Sequence, residues 1–204
     1  MTIQDVIDND LIQDIRTGTA ADDSTDLINF TGDIFPNFEY SNCNRSWFGF
    51  NFEPYNHCFS VLEFGAWKDG FRSATRIIME QKSANTKYFG VSTVDITALN
   101  NNNDIFTLQR DIASYGEIVN LAYAKNVTAF DVILFDVEGS INQMLDFWTY
   151  TSLLAPGGLI VLHDVHYHPG PKALIENLDP NKFNIEVRCC DKKMDYGIAF
   201  ITRK

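Results

Sequence analysis

The sequence predicts a doubly wound α/β domain. A strand, a glycine turn and a helix follow one another within residues 59–80, and short apolar runs alternate with helical patterns from there onward. Residues 59–64 are mostly apolar with one acid, Glu63, as suits a strand covered on both faces. Gly65 and Gly70 bracket a turn, after which Phe71, Ala74, Ile77 and Ile78 recur at helical spacing. This order puts backbone N–H groups and a helix N-terminus at the carboxyl end of a strand, where open α/β sheets bind ligands. Glycine at position 65 would leave a ligand room to approach the backbone. Glu63 argues against a phosphate loop. The turn has no Gly-Lys-Ser/Thr ending and does not spell the dinucleotide pattern.

At 204 residues the chain can bury a full core. We divide it into residues 1–58, a helix followed by an aromatic-rich cap or lid, and residues 59–204, one compact ligand-binding unit. Hydrophobic residues make up 45% and charged residues 21%, so the chain is globular and not disordered. A net charge of −11 disfavours nucleic-acid backbones and anionic membranes as partners. No apolar run approaches the roughly 20 residues of a membrane span, and the start lacks a basic leader. Cys43, Cys58, Cys189 and Cys190 show no paired zinc spacing, so a reducing cytoplasmic setting is the simplest expectation.

Along the chain, Ile3, Val6, Ile7, Leu11, Ile12 and Ile15 mark a short amphipathic helix. Residues 27–58 are rich in Phe, Tyr, Trp and Asn, predicting irregular structure packed on the sheet or lining a pocket. Residues 87–95 predict a second strand, 100–103 a polar loop, and 105–111 a third strand ending in Asp111. A helix then runs to about Lys125. Residues 130–136 predict a fourth strand, apolar between Asp131 and Asp136, and another helix reaches Leu154. Pro156, Gly157 and Gly158 should end that helix and start the fifth strand. Apolar runs at 183–190 and 196–202 complete the sheet as an antiparallel pair.

The segment Val61-Leu62-Glu63-Phe64-Gly65-Ala66-Trp67-Lys68-Asp69-Gly70 resembles the first motif of class I S-adenosylmethionine (SAM) dependent methyltransferases. The nearest variant is that of small-molecule O-methyltransferases related to macrocin methyltransferases and cephalosporin hydroxylases. The segment at 130–136 and the Pro-Gly-Gly before the fifth strand resemble later segments of the same family, in the same order, so the likeness covers residues 59–202. It implies a Rossmann-like seven-stranded sheet of order 3-2-1-4-5-7-6, last strand antiparallel, with helices on both faces. It also implies SAM held by Glu63, Gly65, Ala66, Trp67 and Gly70, with Asp111 facing the adenine and Asp136 close by. The family's ribose-binding acid falls at Ser92. The nearest acid is Asp95, which would serve if the strand runs on. Asp69 replaces a glycine of the motif, and the histidine that many relatives carry after the fourth strand is missing beyond Glu138.

Three of the four histidines lie within six residues, His163, His166 and His168, beside Asp164. The resemblance puts this cluster at the sheet's carboxyl edge, near Asp136. Asp136 and Asp164 could hold a divalent cation, Mg²⁺ by carboxylate preference, with imidazole admitting Zn²⁺, Mn²⁺ or Fe²⁺. Alternatively, a histidine is the general base that deprotonates the acceptor. The implied activity is methylation of an oxygen, with nitrogen second, on a small molecule, with a homo-oligomer as the expected partner state and no nucleic-acid or membrane partner expected. A SAM-binding protein that has lost catalysis and a metal-dependent hydroxylase are the alternatives.

Overall fold

A computed structural model describes residues 45–47, 50–52, 59–66, 74–82, 86–101, 103–110, 114–137, 147–166, 168–188 and 198–204. The expected N-terminal helix, the four cysteines, Trp67, Gly70 and Asp111 lie outside these residues. Within the aromatic-rich segment, β1 (Arg45–Trp47) and β2 (Phe50–Phe52) pair as an antiparallel hairpin, and β2 lies against the fifth strand of the main sheet.

The main sheet contains β3 (Ser60–Phe64), β4 (Lys87–Ser92), β5 (Ile105–Gln109), β6 (Phe130–Phe135), β7 (Leu154–His163), β8 (Phe183–Arg188) and β9 (Ile198–Arg203). Its order is β5-β4-β3-β6-β7-β9-β8, with β9 antiparallel to both its neighbours. Counted from β3, this is the expected 3-2-1-4-5-7-6. The first five strands are parallel, so crossovers must cover both faces, and their apolar runs leave no polar side. Helix α1 (Ala74–Gln81) packs Ala74 and Ile78 on the face that carries Val61, Tyr88, Val132 and Val161. The opposite face carries Leu62, Phe64, Phe89, Phe135 and Ile160. Helix α2 (Tyr115–Ala124), the helical residues 147–151 and α3 (Pro169–Asn177) cover it. There the rings interlock, with Phe64 4.5 Å from Tyr150 and 5.2 Å from Phe135. Among the described residues, no helix is long and apolar enough to cross a membrane.

Two boundaries differ from the sequence expectation. Strand β4 ends at Ser92, three residues before Asp95, because Asp95 caps the turn that follows. Its Oδ1 accepts from Thr97 N at 2.9 Å and from Thr97 Oγ1 at 2.6 Å, starting the 3-10 turn Thr97–Leu99. The Pro-Gly-Gly segment is not a helix stop before a strand but a bulge inside one. Phe130 pairs with Leu154 and Val132 with Leu159, so residues 155–158 loop out of the ladder. Gly157 takes φ +70°, and a Cβ at Gly158 would come within 2.8 Å of the Ala155 carbonyl.

Gly65 corrects a third expectation. It adopts φ +88°, and a Cβ there would fall 1.6 Å from the Asp136 carbonyl oxygen. The space a side chain would need is filled by the protein's own backbone, not reserved for a ligand. Gly65→Ala should therefore destabilise the fold and not merely block binding. The forbidden backbone angle alone predicts a loss of about 1–2 kcal/mol, and the collision adds to it. A melting temperature lowered by at least about 4 °C is expected; an unchanged melting temperature would contradict the close approach.

Candidate active site at the carboxyl edge of the sheet

The turn after β3 is fixed by backbone hydrogen bonds to both neighbouring strands. Gly65 N and Ala66 N donate to the Val91 carbonyl at 3.0 and 3.2 Å, and Asp136 N donates to the Phe64 carbonyl at 3.0 Å. Gly65, Ala66, Ser92 and Asp136 are thereby brought together on one edge of the sheet.

Glu63 sits beneath that turn, 1% exposed, in the apolar layer between β3, β4 and α1. Thr75 Oγ1 donates to its Oε2 at 2.9 Å, and the Tyr88 hydroxyl donates to the same oxygen. Register explains how the tyrosine reaches it. Glu63 lies opposite Gly90, and a Cβ at Gly90 would crowd the Tyr88 hydroxyl at 2.8 Å, so the glycine lets the phenol lie across to the carboxyl. Burial pushes the Glu63 carboxyl up to about 8, outweighing the two donors that favour its charged form. Tyr88 is pushed well above its ordinary range, first by burial and then by the neighbouring carboxylate. Glu63 thus braces the turn from inside the core. Tyr88 and Thr75 escape a motif-based reading; the signal for them is a hydroxyl-bearing ring two residues before a glycine in an otherwise apolar strand.

The second acidic group lies at the ends of β6 and β7. His163, the last residue of β7, is buried, and its Nδ1 lies 2.9 Å from Asp136 Oδ1 and 3.3 Å from Asp164 Oδ1. On the other side of Asp164, His168 Nε2 stands 3.3 Å from Oδ2, and the His168 N–H donates to the Asp164 carbonyl at 3.1 Å. Asp164 adopts φ +61°, a left-handed conformation uncommon outside glycine and asparagine. This bend turns the chain from β7 into α3, for which His168 is the N-terminal flank. Burial opposes the charge on Asp164, but His163 and His168 outweigh it and hold the carboxyl below its ordinary range. Its Oδ1 is buried and accepts no hydrogen bond among the described residues. One ligand atom each from Asp136, His163 and Asp164 lie within 4.8 Å of one another, a donor set able to hold a cation. His166, by contrast, is exposed.

No protein-family model matches the sequence, and no curated protein matches it. Solved structures do share the fold. MycE methyltransferase of the mycinamycin biosynthetic pathway, in complex with Mg, SAH and mycinamycin VI, is 17% identical over 72% of this chain, with a TM-score of 0.54. This chain spans less than half of MycE, 45%. The O-methyltransferase TomG from Streptomyces achromogenes, in complex with SAM, is 13% identical over 71% of this chain and 72% of its own, with a TM-score of 0.54. An rRNA methylase from Streptococcus thermophilus is 10% identical over 72% and 88%, with a TM-score of 0.50. The fold is that of the class I SAM-dependent methyltransferases.

The buried Glu63 makes a pH prediction. The folded carboxyl keeps its proton to about pH 8, whereas at its ordinary value of 4.5 it would release it. Its contribution to stability is fully present below pH 4.5 and is lost as the pH rises through 8. The parent's unfolding free energy should fall across that window by at most about 1.4 kcal/mol per pH unit. Glu63→Gln, which cannot ionise, should flatten that part of the profile in denaturant titrations. Parallel parent and variant profiles would show that the carboxyl is ionised in the fold.

Proposed function

We propose that this chain is a SAM-dependent methyltransferase acting on an oxygen of a small-molecule acceptor. The observation that carries this reading is the Asp136–His163–Asp164 group, placed on the same edge as the Gly65 turn and joined to it through Asp136. The glycine turn and the end of β4 are where this fold would hold SAM. Gly65 and Ala66 shape that surface and Ser92 ends the strand beside it, while Asp95 acts first as a turn cap. A small molecule is favoured over RNA because a chain of net charge −11 repels a phosphate backbone.

Asp136, His163 and Asp164 would hold a divalent cation, and Asp164 Oδ1, buried 3.3 Å from His163 Nδ1 and accepting no hydrogen bond among the described residues, fits that role. SAM supplies an activated methyl group, and the cation would orient the acceptor and ease loss of its hydroxyl proton. The chain's own contribution is positional. Methyl transfer depends on aligning the acceptor oxygen with the methyl group and excluding water, more than on covalent help from side chains. His168, 3.3 Å from Asp164 Oδ2, keeps that carboxylate ionised and oriented. His166 is exposed and stands as the alternative base should no cation be used.

Isothermal titration with SAM is the direct test, and saturable binding is expected. Asp164→Asn is the informative variant because asparagine tolerates the left-handed backbone at this position. SAH release over a panel of hydroxyl-bearing acceptors should fall on the order of 100-fold or more, with SAM affinity nearly unchanged. Turnover that survives both Asp164→Asn and a chelator would remove the cation and leave His166 or His168 as the base.

A further inference from the structure

The geometry points to a site tuned for a transition metal such as Mn²⁺, Fe²⁺ or Co²⁺ in preference to Mg²⁺, with His163 as the residue that sets the preference. The inference deepens the reading of this edge as the acceptor site and rests on it. One nitrogen and two oxygens converge. His163 Nδ1 is 2.9 Å from Asp136 Oδ1 and 3.3 Å from Asp164 Oδ1, and one ligand atom from each of the three residues lies within 4.8 Å of the other two. Adjacent corners of an octahedron around an ion with bonds near 2.1 Å are about 3.0 Å apart, so each of the two spacings from His163 Nδ1 suits a pair of adjacent corners.

The donor types then discriminate among ions. Mg²⁺ is hard, prefers oxygen and gives up its water reluctantly, whereas imidazole suits the later first-row metals. A fully oxygen-donating group would serve Mg²⁺ well; substituting an imidazole nitrogen gives up part of that advantage and strengthens binding along the series from Mn²⁺ to Co²⁺. The nitrogen is well held. His163 is buried at the end of β7, where its pairing with Ile198 fixes the backbone, and Asp164 is constrained by its φ of +61°. Coordination through Nδ1 requires the ring tautomer with its proton on Nε2. The carboxylates need no such rearrangement, and Asp164 Oδ1 already lies buried, accepting no hydrogen bond among the described residues.

The test loads the full chain with single metals. Mn²⁺-loaded protein should show electron spin echo modulation from a directly coordinated ¹⁴N nucleus, which is lost in His163→Gln. By calorimetry, Co²⁺ should bind at least about 100-fold more tightly than Mg²⁺, and this ratio should fall at least about tenfold in His163→Glu, which puts an oxygen donor in place of the nitrogen. Absence of ¹⁴N modulation in the parent, or Co²⁺ and Mg²⁺ affinities within tenfold of each other, overturns the inference. The parent measurements decide this even if the variants fold poorly. A chain that shows ¹⁴N coupling and the metal preference but binds no SAM supports the metal assignment and removes the methyltransferase reading. A chain that binds SAM without the metal preference does the reverse.

Discussion

The contact on which the site depends is the approach of the Gly65 backbone to the Asp136 carbonyl. It is closer than any side chain would allow, with a hypothetical Cβ only 1.6 Å from the oxygen. Through it, the turn after β3 and the end of β6 form one surface. Hydrogen bonds from Gly65 and Ala66 to Val91 bring in β4, and Asp136 lies beside His163 at the end of β7. The ends of β3, β4 and β6 are thereby tied together by backbone hydrogen bonds, and the end of β7 joins them through the Asp136–His163 side-chain contact.

Two acids within this framework are both penalised by burial, yet end up shifted in opposite directions because their neighbours differ. Around Glu63 the surroundings are apolar apart from two neutral hydroxyl donors, so desolvation dominates and the carboxyl holds its proton. Around Asp164 the imidazoles of His163 and His168 offset that cost, so the carboxylate is held below its ordinary range despite being enclosed. The neutral acid can therefore act as a brace inside the core, while the charged one is suited to a cation at the edge. Exchanging these surroundings would place an unpaired charge beneath the turn and a neutral carboxyl where charge is useful.

Much of the fold is legible in the sequence because buried parallel strands read as mostly apolar runs. Residues 60–64, 87–92 and 130–135 stand out for this reason, whereas the order of the strands in the sheet is what the family resemblance implies. The details that differ from the sequence expectation all depend on what happens between elements. The extent of β4 could not be judged without knowing that Asp95 would cap the next turn. Gly65 is equally needed for a ligand or for a backbone contact, and only its distance to Asp136 separates the two. The acids and histidines were visible as a cluster in sequence, but their pairing across β6 and β7 is a three-dimensional fact. Tyr88 was hidden for the same reason, since its role depends on Gly90 facing Glu63 across the sheet.

The bulge at residues 155–158 gives β7 a further property. Upstream of it, Leu154 remains paired with Phe130; downstream, Leu159 through Leu162 match Val132 through Phe135 without a break. The extra residues are taken up in a loop, so a change of length there need not shift the strand's later half by one position. A one-residue slip would turn His163 to the other face of the sheet and dissolve its alignment with Asp136. The loop works as an expansion joint, letting the start of the strand vary while its chemical end stays in place.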